Sequence, residues 1–174
     1  MTVLVSAASK HGATFEIAEA IARVLDDHGL SAELVEIDEV SDLGRYEAVV
    51  LGSAVYMGQW LRQARSFVDA HAGELAQRPT WLFSSGPIVG DPPTPDPVDE
   101  APRQRALETA HGREHKLFAG KLDKSRLGLL EKAAVRAAHA SEGDHRDWDE
   151  INCWATEIAA QLGTLNQPPT LERR

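Results

Sequence analysis

The sequence predicts an α/β fold built on a mainly parallel sheet, and three observations point there. Short apolar runs alternate along the chain with longer stretches whose apolar residues recur every three or four positions; this is how strands alternate with the helices that cover them. The run Ala48-Val49-Val50-Leu51 is apolar at every position, as a central strand buried on both faces requires. The chain has 174 residues, 43% of them hydrophobic, enough for one domain with its own core and no disulfide or metal to staple it.

Val3-Leu4-Val5 reads as the first strand. From Thr14 the period changes: Phe15, Ala18, Ile21, Ala22 and Leu25 fall on one helical face, and His28-Gly29 closes that helix with a glycine just past its end. Segment 33–37 alternates polar and apolar residues like an outer strand. After the central strand a helix is expected over 60–71, with Leu61, Ala64, Phe67 and Val68 turned inward. Trp81-Leu82-Phe83 reads as the fourth strand, 104–109 as a short helix and Lys116-Leu117-Phe118-Ala119 as the fifth strand. Helical patterns follow over 122–140 and 147–162. The second opens with Asp147 and Glu150, spaced as a capping box with Asp as cap, and carries Trp148 and Trp154 as expected core residues.

Five strands with interleaved helices fit a three-layer sandwich whose parallel sheet runs in the order 2-1-3-4-5. In such sheets ligands bind beyond the carboxyl ends of the strands, where the strand order reverses. The loops after the first, third and fourth strands therefore matter most. The domain is expected over 1–166, and 167–174, with Pro168-Pro169, as a flexible tail.

The charge balance narrows the function. Eighteen Lys and Arg against 27 Asp and Glu give a formal charge of −9, which repels a phosphate backbone and argues against nucleic acid as a partner. The single cysteine, Cys153, cannot form an internal disulfide and reads as a small semi-buried side chain. No run of about 18 apolar residues occurs, so no transmembrane segment is expected. The first residues lack a basic start, so no signal peptide is expected and the cytoplasm is the expected location.

The first loop is Ser9-Lys10-His11-Gly12-Ala13-Thr14, leading straight into a helix. Hydroxyls at both ends, a glycine and a helix N-terminus make a cradle for a phosphate dianion; the plainer alternative is a strand-to-helix turn with Thr14 as an ordinary cap. The third-strand loop is Gly52-Ser53-Ala54-Val55-Tyr56-Met57-Gly58-Gln59-Trp60. Its two glycines permit sharp turns, and Tyr56 and Trp60 offer flat faces for a ring, unless either packs into the core instead. The fourth-strand loop is Ser84-Ser85-Gly86-Pro87-Ile88-Val89-Gly90. The Pro-rich acidic stretch 91–102 that follows reads as a lid, a docking loop or a solvated connection.

The spacing Ser9-x-x-Gly12-x-Thr14-x-x-x-Ala18-x-x-Ile21 resembles the FMN-phosphate signature of flavodoxins. It departs at Ala7, where an aromatic is usual, and at His11, where a further Thr is common. Residues 46–68 most resemble the flavodoxin-like, menaquinone-dependent protoporphyrinogen oxidases, through Gly52, Ala54, Gly58, Phe67 and Val68. The resemblance implies a flavodoxin-like fold with noncovalent FMN. Ser9, Lys10, His11, Gly12, Ala13 and Thr14 would hold the phosphate. Ala54, Val55, Tyr56 and Met57, with Trp60, would lie along the ring, and Ser84, Ser85, Gly86 and Gly90 at its pyrimidine edge. It also implies electron transfer to or from a quinone or a tetrapyrrole-like substrate. The alternatives are a carrier serving redox partner proteins, and a fold that has lost FMN.

Competing motifs are weak. No Gly-x-Gly-x-x-Gly, P-loop or Gly-x-Ser-x-Gly occurs. His111 and His115, with Glu114 between, sit ahead of a strand without a third ligand, so no metal is expected. In 121–139 the residues Lys121, Lys124, Arg126, Lys132 and Arg136 outnumber Asp123 and Glu131. This segment reads either as a basic amphipathic helix for peripheral contact with an anionic membrane or acidic partner, or as a sheet-covering helix.

Overall fold

In the computed structural model, which describes residues 1–56, 58–86, 88–89, 94–95, 100–123, 125, 128–129, 132 and 142–165, the elements follow the expected alternation. The first half runs β1 (Thr2–Ala8), α1 (Ala13–Asp27), β2 (Ser31–Glu36), β3 (Ala48–Tyr56), β4 (Gln59–Trp60), α2 (Arg62–Ala70) and α3 (Ala72–Leu75). The second half runs β5 (Thr80–Gly86), β6 (Ile88–Val89), β7 (Thr94–Pro95), α4 (Glu100–Thr109), β8 (Glu114–Ala119), β9 (Lys121–Leu122), β10 (Gly143–Asp144) and α5 (Trp148–Leu165).

The sheet order is β2-β1-β3-β5-β8, with β4 folded back on β3. Counted along the five parallel strands this is the expected 2-1-3-4-5. The register alternates side chains between two cores. Val3, Val5 and Ala7 of β1 join Phe83 and Phe118 under α1 and α5, where Ile17, Ile21, Leu25, Trp154 and Ile158 close the layer. Leu4, Val49, Leu51 and Leu82 face the other way, onto Ala64, Phe67 and Val68 of α2 and Ala110 after α4. The outer strand β2 is half-buried at its four central residues, as an edge strand covered on one side should be.

Several expectations change. The helix expected from Trp60 starts at Arg62, because Gln59 and Trp60 pair antiparallel with Tyr56 and Val55. The hairpin turn leaves two residues between Tyr56 and Gln59, with Gly58 at φ 71°, a value that favours glycine. Gly52 is not a turn residue. It lies inside β3 opposite Phe83, and a Cβ there would stand 2.0 Å from the Phe83 Cζ. Leu122, expected to begin a helix, pairs in a strand with Gly143; most of 122–140 lies outside the described residues, as does the tail 167–174.

The cap of α5 is as expected, with the Glu150 N–H donating to Asp147 Oδ1 at 3.0 Å. Trp154 is buried in the core, but Trp148 is 39% exposed, with the Arg146 guanidinium 4.5 Å from its ring. Cys153 is exposed rather than semi-buried, since it falls on the solvent side of α5 between the buried Ile151 and Trp154. Among the described residues no helix is long and apolar enough to cross a membrane.

Candidate functional site

The ends of β1, β3 and β5 come together at one edge of the sheet. Ala7 and Ala8 are in register with Gly52 and Ser53, and Ser53 and Ala54 with Ser84 and Ser85. The three loops leaving them thus start within about 10 Å of one another, two strand spacings.

In the first loop Gly12 is the N-cap of α1, at φ 88° and ψ −21°. It makes no side-chain cap, and no atom lies within 4 Å of where its Cβ would stand. The space above this turn is open. Thr14, 2% exposed, occupies the second helical position and is not the cap. Its N–H donates to Ser9 Oγ at 3.3 Å, so the loop closes on itself through the two hydroxyl residues that frame it. The N–H groups of Gly12 and Ala13 have no acceptor among the described residues. Two unclaimed donors at the positive end of a 15-residue helix are what a phosphate dianion requires. The residues present therefore fit the phosphate of a flavin mononucleotide, which Ser9, Gly12, Ala13 and Thr14 would hold.

Lys10 and His11 lean across to the second loop. Lys10 Nζ lies 5.3 Å from the Tyr56 ring centroid and the His11 ring 6.5 Å from it at 60°. Tyr56 is the half-buried end of β3 and Ala54 and Val55 are buried behind it. The hairpin that presents Tyr56 is tied at its base, where Ser53 Oγ accepts from the Leu61 N–H at 3.0 Å and donates to the Ala54 carbonyl at 2.8 Å. The loops after the first and third strands are thus brought together.

Trp60 takes the core placement of the two the sequence left open. It is 4% exposed, its Nε1–H donates to Ser84 Oγ at 2.8 Å, and Ser84 Oγ lies 2.8 Å from His115 Nε2. The Ser84 hydroxyl is therefore committed to the α2–α4 face, and only its backbone is left for a ligand. Ser85 points to the opposite face and is buried; Gly86 ends β5, its carbonyl accepting from the Gly120 N–H at 2.8 Å. Met57 and Gly90 lie outside the described residues. His115 and Glu114, adjacent on β8, bond on opposite faces of the sheet, Glu114 accepting from Trp154 Nε1 at 2.9 Å.

One structural feature beside the candidate site was not anticipated. The chain returning after β8 passes the same sheet edge, with the His145 N–H donating to the Gly120 carbonyl. Arg146 then reaches the first turn of α1. Its side chain is 3% exposed and its NH1 lies 2.6 Å from Glu16 Oε2 and 3.2 Å from the Ala13 carbonyl, while NH2 meets Asp144 Oδ2 at 2.5 Å. The hydrogen bonds to Asp144 hold Arg146 above its ordinary value, and the same bonds hold the Asp144 carboxyl below its own. This clamp fixes the start of the helix that frames the candidate cradle. The only trace in the sequence is the charged run Asp144-His145-Arg146 just before the Asp147 cap.

The family model described as Flavodoxin domain matches residues 4–149. Protoporphyrinogen IX dehydrogenase [quinone] of Escherichia coli (strain K12) is 23% identical over 185 residues, covering 99% of this chain and 100% of that protein. A flavodoxin from the domain Archaea superposes with a TM-score of 0.62 at 17% identity, covering 94% of this chain and 99% of that one. Flavodoxin 1 of Bacillus cereus gives 0.61 at 16% identity over 92% and 98%. Rubredoxin oxygen:oxidoreductase of Desulfovibrio gigas gives 0.64 at 14% identity over 95% of this chain and 37% of that longer one.

Proposed function

This chain belongs to the flavodoxin domain family, and on that premise we propose that it binds FMN noncovalently and acts as an oxidoreductase, passing electrons to or from a quinone or a tetrapyrrole-like substrate. The observation that carries the reading is the open cradle at the start of α1, with Lys10 and His11 set against Tyr56. The full-length similarity to a quinone-linked protoporphyrinogen IX dehydrogenase supports the substrate class.

Bound FMN would accept and return the electrons; the chain's own residues do the rest. Gly12 and Ala13 would offer their N–H groups to the phosphate, Ser9 and Thr14 would frame it, and the Lys10 ammonium would add positive charge. Tyr56 would line the ring, held by the Ser53 tie beneath its hairpin. Gly86 and the strand end before it offer backbone groups to the pyrimidine edge. We place the protein in the cytoplasm, with the quinone reached at the membrane surface.

A non-enzymatic carrier is the second reading, favoured by the flavodoxins that align over almost their whole length. The experiment is to load the purified protein with FMN and supply protoporphyrinogen and a soluble quinone anaerobically, following porphyrin formation. Turnover without any partner protein supports the enzyme. Turnover only when a reductase or acceptor protein is added supports the carrier and overturns the enzymatic reading.

A further inference from the structure

Helices α2 and α4 pack side by side on the face of the sheet away from α1, and a groove of about 260 Å³ opens between them. Among the described residues its walls carry three arginines, Arg62 and Arg65 from α2 and Arg105 from α4, against one carboxylate, Asp69. All three are exposed, and among the described residues none of their guanidinium groups has a hydrogen-bond or ion-pair partner. Asp69 is four residues beyond Arg65 on the same helix, yet the two form no ion pair within 4 Å. The groove's inner surface includes apolar groups of Val68, Ala106 and Pro102.

In a chain of net charge −9 this concentration of unpaired positive charge is local, and it sits beside the candidate site. Gln59 lines the groove and is the register partner of Tyr56 across the β3–β4 hairpin. Arg62 opens the helix that leaves that hairpin. One end of the groove is therefore set by the same turn that presents Tyr56.

We propose that the groove between α2 and α4, lined by Arg62, Arg65 and Arg105, binds the carboxylate arms of a small organic anion whose apolar body extends past Gln59 to the Tyr56 side of the cofactor site. Guanidinium groups recognise carboxylates through paired N–H donors in a fork. The apolar floor suits a hydrocarbon arm, and its volume is too small to enclose a large ring, which stays outside it. An acidic protein is the poorer occupant. It would bring its own negative charge against the whole acidic surface, whereas a small anion feels mainly the charges within a Debye length, about 8 Å at physiological salt. The inference deepens the redox reading by giving its substrate a charge and a shape, and it rests on that reading only for the direction in which the ligand extends.

The test uses the whole protein and two probes, protoporphyrin IX and its dimethyl ester, which share the ring and differ in the two carboxylates. Binding is followed by porphyrin fluorescence with and without FMN. The expected result is tighter binding of the diacid than of the ester, weakened at least about tenfold in R62Q/R105Q, as loss of charge-assisted hydrogen bonds requires. Binding of the diacid should also weaken as salt rises. FMN uptake by the variant, whose substitutions are on exposed side chains, reports that it is folded. Equal affinity for diacid and ester, no diacid binding, or unchanged affinity in the variant overturns the inference. Failure to take up FMN with the diacid preference intact overturns the redox reading and leaves the groove standing.

Discussion

Replacing Gly52 by Ala adds one methyl group to the most enclosed part of the sheet. The new Cβ would stand 2.0 Å from Phe83 Cζ and 2.4 Å from both Cε atoms, whereas unstrained carbons sit at about 3.5–4.0 Å. The ring must then retreat by roughly 1.5 Å, the difference between those separations. It has nowhere to go, because Phe83 is fully buried with Phe118 at 6.0 Å and Trp154 at 6.2 Å between ring centroids. Overpacking of this kind costs typically about 1–3 kcal/mol, and a clash along a whole ring edge belongs at the upper end. The entropy Ala removes from the unfolded chain returns about 0.4–1 kcal/mol, leaving about 2–3 kcal/mol of net loss. For a chain of this size that lowers Tm by about 5–10 °C. Urea unfolding should show a reduced midpoint with an unchanged slope. Phe83→Leu removes the clashing atoms, so G52A/F83L should lose at least about 1 kcal/mol less than the sum of the single variants. A G52A protein within about 0.5 kcal/mol of wild type, the usual spread of harmless substitutions, would refute the packing argument. So would strict additivity with F83L.

Arg146→Met should destabilise by about 1–3 kcal/mol in urea unfolding. That is below the 3–5 kcal/mol of a fully buried pair, since Glu16 and Asp144 are half-exposed; the variant should also bind FMN more weakly because the start of α1 loosens. Trp60→Phe removes the Nε1 donor to Ser84 and should cost about 1–2 kcal/mol of stability while leaving FMN affinity within about twofold, below 0.5 kcal/mol; a large loss of FMN would mean that Trp60 touches the ring. The carboxyl of Asp144 is held below its ordinary value by Arg146, so its stabilising effect is present above the unfolded value near 3.9 and is lost as pH falls through the lowered folded value. Asp144→Asn should remove that share of the acid sensitivity, read as a smaller loss of the urea midpoint as pH falls below the ordinary carboxylate value.

The strands and helices were legible wherever one periodicity dominated. Ala48-Val49-Val50-Leu51 could only be a buried strand, and the spacing from Phe15 to Leu25 could only be a helix face. The order of the sheet was that of the flavodoxin-like arrangement which five alternating strands fit. What sequence could not convey was the use of particular residues by tertiary neighbours. Gly52 reads as a turn glycine until Phe83 is seen lying across it, and Trp60 reads as the start of a helix until its indole is found tied to Ser84 and His115. The candidate phosphate cradle could be read because its residues are contiguous. Arg146 was not, because its partners Ala13 and Glu16 are more than a hundred residues away and only the closing of the sheet edge brings them together. The groove arginines were hidden for the same reason, being split between α2 and α4.

The turn at residues 9–14 is expected to hold the phosphate of FMN. The direct measurement is the affinity of the purified chain for FMN and for riboflavin, which differ only in that phosphate, by quenching of flavin fluorescence, in the wild type and in Thr14→Val. The wild type should prefer FMN by a wide margin, and T14V should lose about 1–3 kcal/mol of FMN affinity, the value of a hydrogen bond to a charged group, with riboflavin binding little changed. Equal affinity for the two flavins in the wild type, or a T14V variant that binds FMN as tightly as before, would contradict the account.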